Sequence, residues 1–329
     1  MNKIIILIFL LVILVFIYYN LPKISEGFKS NKVNLKLIDS KHASEVIRDV
    51  NTFNKYNNLD KILRNIKNND NIYSYYIKNL SEWNASEIKL FNWLKQGLIE
   101  KIPSEYKFLF DNVYIAKYNN NIEMGFPHTH ANTIFLTGLF VNEILPFFTN
   151  NNIDDCIKIV GSVIIHETIH IWQRRDKEFF TELYKSWNFK NYKKIYNFSK
   201  LKKKNRYNPD GVNLKWGWKL PDSSNEIIPM AVYSRGATNI SHVNLIGVRL
   251  EKIGSIPVIP PILDFKRLSD IPKFIAFFGD IGGNNYHPNE LSAEIISRVI
   301  TRKMLGDKYN NDSLKTDAVK EFKQLFYEK

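Results

Sequence analysis

The spacing of apolar positions divides the chain into stretches of different texture. Residues 4–19, IIILIFLLVILVFIYY, form one uncharged apolar run. Between about 38 and 105 apolar residues recur at i, i+3 and i+4, in SEVIRDVNTF, LDKILRNI and SEIKLFNWLKQGLIEKI, which predicts helices. Asp39 or Ser40, and later Ser86, are candidate N-caps. The pattern changes at Tyr106. VYIAKY (113–118) and NTIFLTGLFV (132–141) are short and rich in β-branched and aromatic residues, which predicts strands. A helical period runs from Ile153 to Arg175 and returns in KEFFTELYKSW. Pro, Gly and Trp punctuate 208–261, where NLKWGWKL, IIPMAVYS and HVNLIGVRLEKI predict an antiparallel meander. Two helical stretches close the chain: PNELSAEIISRVITRKM, with Pro288 in its first turn, and DAVKEFKQLFYE.

These textures predict an α+β protein. Residues 1–22 are expected to be a transmembrane anchor and 23–37 a polar linker. A helical N-terminal region (38–105) and a larger domain (106–329) with a β-meander insertion at about 208–261 follow. The apolar run is a little short of the roughly 20 residues that span a bilayer, but Leu21 and Pro22 extend it at low polarity. It ends in Tyr18 and Tyr19, as interfacial belts do, and no small-x-small cleavage site occurs before Ser25-Glu26-Gly27. An uncleaved single-pass anchor in contact with membrane lipid is therefore expected. Lys3 on one side and Lys23, Lys29 and Lys32, less Glu26, on the other leave its orientation open.

The net charge of +13 changes this picture little. Its lysines are scattered among frequent Asn and Ile, as an A/T-rich genome produces, and no nucleic-acid-binding motif accompanies them, so a nucleic-acid partner is not expected. The densest run, Lys202-Lys203-Lys204 with Arg206, reads as a solvated loop. Cys156 is the single cysteine, which excludes an intrachain disulfide and a cysteine-based metal site. Any metal must be held by histidines and carboxylates.

Residues 166–170 read His-Glu-Thr-Ile-His within an apolar helix, CIKIVGSVIIHETIHIW. Positions i and i+4 share a helix face, so His166 and His170 can reach one ion, with Glu167 beside it as general base. Zn²⁺ suits two neutral imidazoles and one oxygen ligand, with a fourth position left for water. Downstream, NELSAE opens another helix with Glu290 and Glu294 one turn apart.

With N-E-L-S-A-E after the first motif, the sequence resembles the gluzincins, zincin metallopeptidases whose third metal ligand is a glutamate. The resemblance covers about 125–185 and 284–300. It implies one zinc per chain held by His166, His170 and Glu290, with Glu294 orienting a ligand histidine, and a peptide or protein substrate cleaved by water that Glu167 activates. The chain departs from the family pattern in its final acid, Glu in place of Asp, and in a gap of about 120 residues after His170, which the meander would fill. In zincins an edge strand before the metal helix pairs with the substrate; PHTHANTIFL occupies that position here, so His128 and His130 become candidate cleft residues. A donor for the tetrahedral oxyanion is also expected. His287 and Tyr286 are nearest in sequence to the Glu290 helix, and Tyr233 and Arg235 are alternatives. His42 and His242 are expected on the surface. The competing expectation from another class is an inactive zincin-fold structural or binding protein at a membrane.

Overall fold

The computed structural model describes residues 33–49, 56–67, 71–210, 215–221, 225–254, 256–260, 264–280, 282–309 and 312–328. The expected anchor at 1–22 lies outside them. Among the described residues no helix is long and apolar enough to cross a membrane.

One sheet carries the first half of the chain. Its strands are β1 (Leu35–Leu37), β2 (Leu80–Ser81), β3 (Val113–Tyr118), β4 (His128–His130) and β5 (Thr133–Thr137). The path is β1-β3-β5-β4, with β2 also on β3; β1, β3 and β5 are parallel and β4 is an antiparallel edge strand. Side chains alternate between its faces. Val113, Ile115, Ile134 and Leu136 enter the main core, whereas Ala116, Tyr118 and Phe135 pack with Ile47, Tyr75 and Tyr76 on the other side. That second face is covered by α1 (Ser40–Arg48), α2 (Asn58–Leu63) and α3 (Ile72–Lys78). The main core lies under α4 (Ala85–Lys101), α5 (Gly138–Asn142), α6 (Ser162–Arg175) and α7 (Lys177–Ser186).

The second sheet is antiparallel throughout: β6 (Phe189–Asn191), β7 (Trp216–Lys219), β8 (Glu226–Tyr233), β9 (Val243–Ile253), β10 (Ile256–Val258) and β11 (Phe265–Arg267). Helices α8 (Pro272–Phe278), α9 (Pro288–Leu305) and α10 (Asp317–Tyr327) follow. Helix α9 lies along α6, and apolar residues of both helices, among them Ile165, Ile169, Leu291 and Ile295, join one core.

Four expectations are corrected. The end of the expected linker, Leu35–Leu37, is a strand, because Leu35 is buried opposite Val113. The strand read at 132–141 stops at Thr137, whose Oγ1 accepts from the Phe140 amide and caps α5. The region 38–105 is not separate: Leu90, Phe91, Leu94 and Leu98 of α4 belong to the main core. The meander begins at Phe189 and ends at Arg267, wider than 208–261, since Phe189 pairs with Trp218 and Phe265 with Val248. The helix expected from Ile153 to Arg175 runs unbroken but carries a π-helical turn at Ile157–Gly161, just before the His-Glu-Thr-Ile-His motif. Such turns are frequent beside functional sites.

A buried charge network ties the layers together. Arg64 donates through Nε to Glu123 Oε1 (2.6 Å) and through NH1 to Asp60 Oδ1 (3.1 Å) and the Tyr233 hydroxyl (3.2 Å). Its NH2 donates to the Tyr207 carbonyl (2.8 Å). Tyr56 and Tyr76 complete the shell of Glu123. All three charges are buried, so each needs its partners.

Candidate metal centre

Helix α6 presents His166 and His170 one turn apart, and their Nε2 atoms approach to 3.1 Å. Helix α9 brings Glu290 to them: Oε1 lies 3.5 Å from His170 Nε2 and Oε2 3.8 Å from His166 Nε2. Ligands about 2.0–2.1 Å from a tetrahedral zinc stand about 3.3 Å from one another, so these separations suit a shared ion. The three donor atoms lie within 4.8 Å of one another on buried residues.

The outer nitrogens decide which way the rings present their lone pairs. His170 Nδ1 is 3.0 Å from Gln173 Oε1, and His166 Nδ1 is 3.4 Å from Glu294 Oε2. With protons on both Nδ1 atoms, the two Nε2 lone pairs can share one cation; without a cation, a proton on either Nε2 bridges the pair. The electrostatics agree. Burial alone would lower the His166 pKa, but Glu290, Glu294 and Glu167 outweigh it and raise it well above the ordinary value, so positive charge is favoured there. At His170 burial wins and the pKa falls to about 4. The residues present therefore fit a divalent cation.

Glu167 is buried, and its Oε2 has no hydrogen-bond partner among the described residues. Burial, with Asp210 close by, pushes its pKa well up. Glu294 goes the other way. His166, Arg298 and Asn284 overcome its burial and hold it at about 2, with Arg298 Nε donating to Oε1 at 2.7 Å and Asn284 Nδ2 to Oε2 at 3.1 Å.

A cavity of about 800 Å³ opens beside His166, Glu167 and Glu290. Of the other expected site residues, Tyr286 is near. Its hydroxyl accepts from Arg206 (3.2 Å) and from Asn208 (3.1 Å), and Asn208 Nδ2 also donates to Glu290 Oε1 (2.6 Å). His287 is fully buried and absent from the cavity wall; its Nδ1 accepts from the Asn289 amide and caps α9. Capping a helix start, not meeting substrate, is what its position does. Tyr233 is engaged in the Arg64 network and Arg235 is exposed.

His128 and His130 are brought together but turned from the metal helix. The register sets His128 opposite Phe135, on the sheet face of Tyr76 and Tyr118. Only His128 touches the cavity. The β4 residue facing α6 is Thr129, which receives an Arg174 N–H at 2.8 Å. His42 and His242 are exposed, as expected.

Asn208, Asp210 and Arg206 were not legible as site residues, whereas Gln173 had a signal in the chain, three positions after His170 on the same helix side. Arg206 belongs to the run read as solvated; Lys202–Lys204 are exposed, but Arg206 turns inward to the cavity. No protein-family model matches the chain, and neither does any curated protein or solved structure.

Proposed function

We propose that the protein is a zinc-dependent peptide hydrolase. The observation that carries the reading is the convergence of His166, His170 and Glu290 donor atoms beside the unpartnered carboxyl oxygen of Glu167 at a cavity wall. The gluzincin resemblance of HETIH and NELSAE supports the same reading. Bound zinc would supply Lewis-acid polarisation of water and substrate carbonyl. The protein's own part is the proton work and the orientation. Glu167 takes a proton from the attacking water and returns it to the leaving nitrogen. Gln173 and Glu294 hold the rings by their outer nitrogens, and Asn208 holds Glu290. The apolar run at 4–19 supports a membrane-anchored enzyme.

Elemental analysis of the purified protein and an assay on a mixed peptide library test this reading. One zinc per chain and chelator-sensitive cleavage are expected. A protein that takes up no zinc ends the proposal; one that binds zinc but cleaves nothing is the inactive binding protein instead.

A further inference from the structure

Resting on the hydrolase reading, we infer that the substrate is recognised through a carboxylate held by Arg206, and not by pairing its backbone with edge strand β4. The edge is already filled. Thr129 is the middle residue of this three-residue strand, and its amide donates to Asp210 Oδ1 at 2.7 Å, as does its hydroxyl. Arg174 fastens the same corner through the carbonyls of Asp210 (3.2 Å) and Ala131 (3.0 Å). An extended peptide laid along β4 finds the Thr129 N–H occupied by this chain's own carboxylate, and strand addition depends on such main-chain donors.

The cavity wall offers another handle. Three arginines line it, Arg64, Arg206 and Arg298. Arg64 is committed to Asp60 and Glu123, and Arg298 to Glu294. Among the described residues no carboxylate forms an ion pair with Arg206, whose side chain donates from NH2 to the Tyr286 hydroxyl. Most of its five N–H donors remain for a ligand, in the fork geometry that matches a carboxylate. Through Tyr286 and Asn208 this guanidinium is linked to Glu290, so a bound anion lies close to the scissile bond. Met124, Phe126 and Leu139 are exposed apolar side chains on the same cavity. They suit a bulky apolar residue beside the charge. A free C-terminal carboxylate and an acidic side chain share this chemistry.

The test is calorimetric binding to the Glu167→Gln protein with added zinc, which reads affinity without turnover. The probes are benzoyl-glycyl-phenylalanine, its amide, and benzoyl-glycyl-glutamate amide. The acid should bind on the order of 10–100-fold more tightly than its amide, the usual worth of a charge-assisted hydrogen bond pair. Tight binding of the glutamate amide would assign the site to side-chain carboxylates, and its failure to bind would assign it to chain termini. The preference should vanish in Arg206→Met and survive in part in Arg206→Lys, with zinc content unchanged. Equal binding of acid and amide, binding of no probe, or a preference that persists in Arg206→Met overturns the inference. Hydrolysis that continues with equal binding removes the carboxylate assignment alone. Absence of hydrolysis in the parent protein removes the hydrolase reading and leaves the binding result standing.

Discussion

Gln173 and Asn289 exchange hydrogen bonds between the two helices that carry the candidate ligands. Gln173 Nε2 donates to the Asn289 carbonyl (2.7 Å), and Asn289 Nδ2 donates back to Gln173 Oε1 (3.0 Å). The same oxygen faces His170 Nδ1, and Ser292 Oγ accepts a further Gln173 N–H at 2.9 Å. Gln173 thus sets both the register of α6 against α9 and the tautomer of His170. Gln173→Ala should weaken zinc binding by about 10–100-fold, the usual loss when a histidine's outer partner is removed. Chelator competition measures it, and unchanged affinity would show that the ring is held by packing alone.

The two glutamates of α9 separate by distance. Glu290 faces both Nε2 atoms, while Glu294 reaches the far nitrogen of His166. Glu290→Ala should lose most zinc affinity, and Glu294→Ala about 10–100-fold. Zinc retained in the first variant and lost in the second would reverse the assignment.

Glu167→Gln should abolish hydrolysis and keep the metal. The amide is nearly isosteric but cannot accept the water proton, and Glu167 belongs not to the cluster of His166, His170 and Glu290 but to a second grouping with His170 and Asp210. Cleavage at the parent rate would refute the proton role. Loss of zinc would make Glu167 a ligand.

His287→Ala should act on stability. It removes the acceptor for the Asn289 amide at the start of α9 and empties a fully buried site. A lost cap costs about 1 kcal/mol and the cavity adds to it, so a loss of roughly 2–4 kcal/mol in unfolding free energy is expected. Zinc content should remain. Full stability with reduced turnover would restore the role expected from its sequence position.

Acid should release the Arg64 network. Burial alone would raise the Glu123 carboxyl from its ordinary 4.5, but Arg64 outweighs it, helped by His128 and Tyr76, and holds it at about 2. A carboxyl depressed in the folded state contributes stability that is present above the unfolded pKa. That stability is lost as pH falls from about 4.5 towards 2, and amounts to about 3 kcal/mol. Glu123→Gln should flatten unfolding free energy against pH across that window; an unchanged slope would assign acid sensitivity elsewhere.

The local periods and the His-Glu-Thr-Ile-His spacing were present in the chain itself. Spacing of i and i+4 puts His166 and His170 on one helix face wherever the helix lies; helical apolar periods located α4, α6 and α9, and short runs rich in β-branched and aromatic residues located β3, β5, β8 and β9. Tertiary structure decided what those faces meet. Which sheet face His128 and His130 occupy depends on the register that sets His128 against Phe135, and one residue of slip would have reversed it. That Arg206 turns into the cavity while Lys202–Lys204 stay in solvent follows from the Tyr286 hydroxyl, 80 positions away, which no local pattern connects. The same holds for Gln173 with Asn289 and for Thr129 with Asp210. Polar contacts across long separations carry no periodic signature, because a single hydrogen-bonding group at one position suffices to make them.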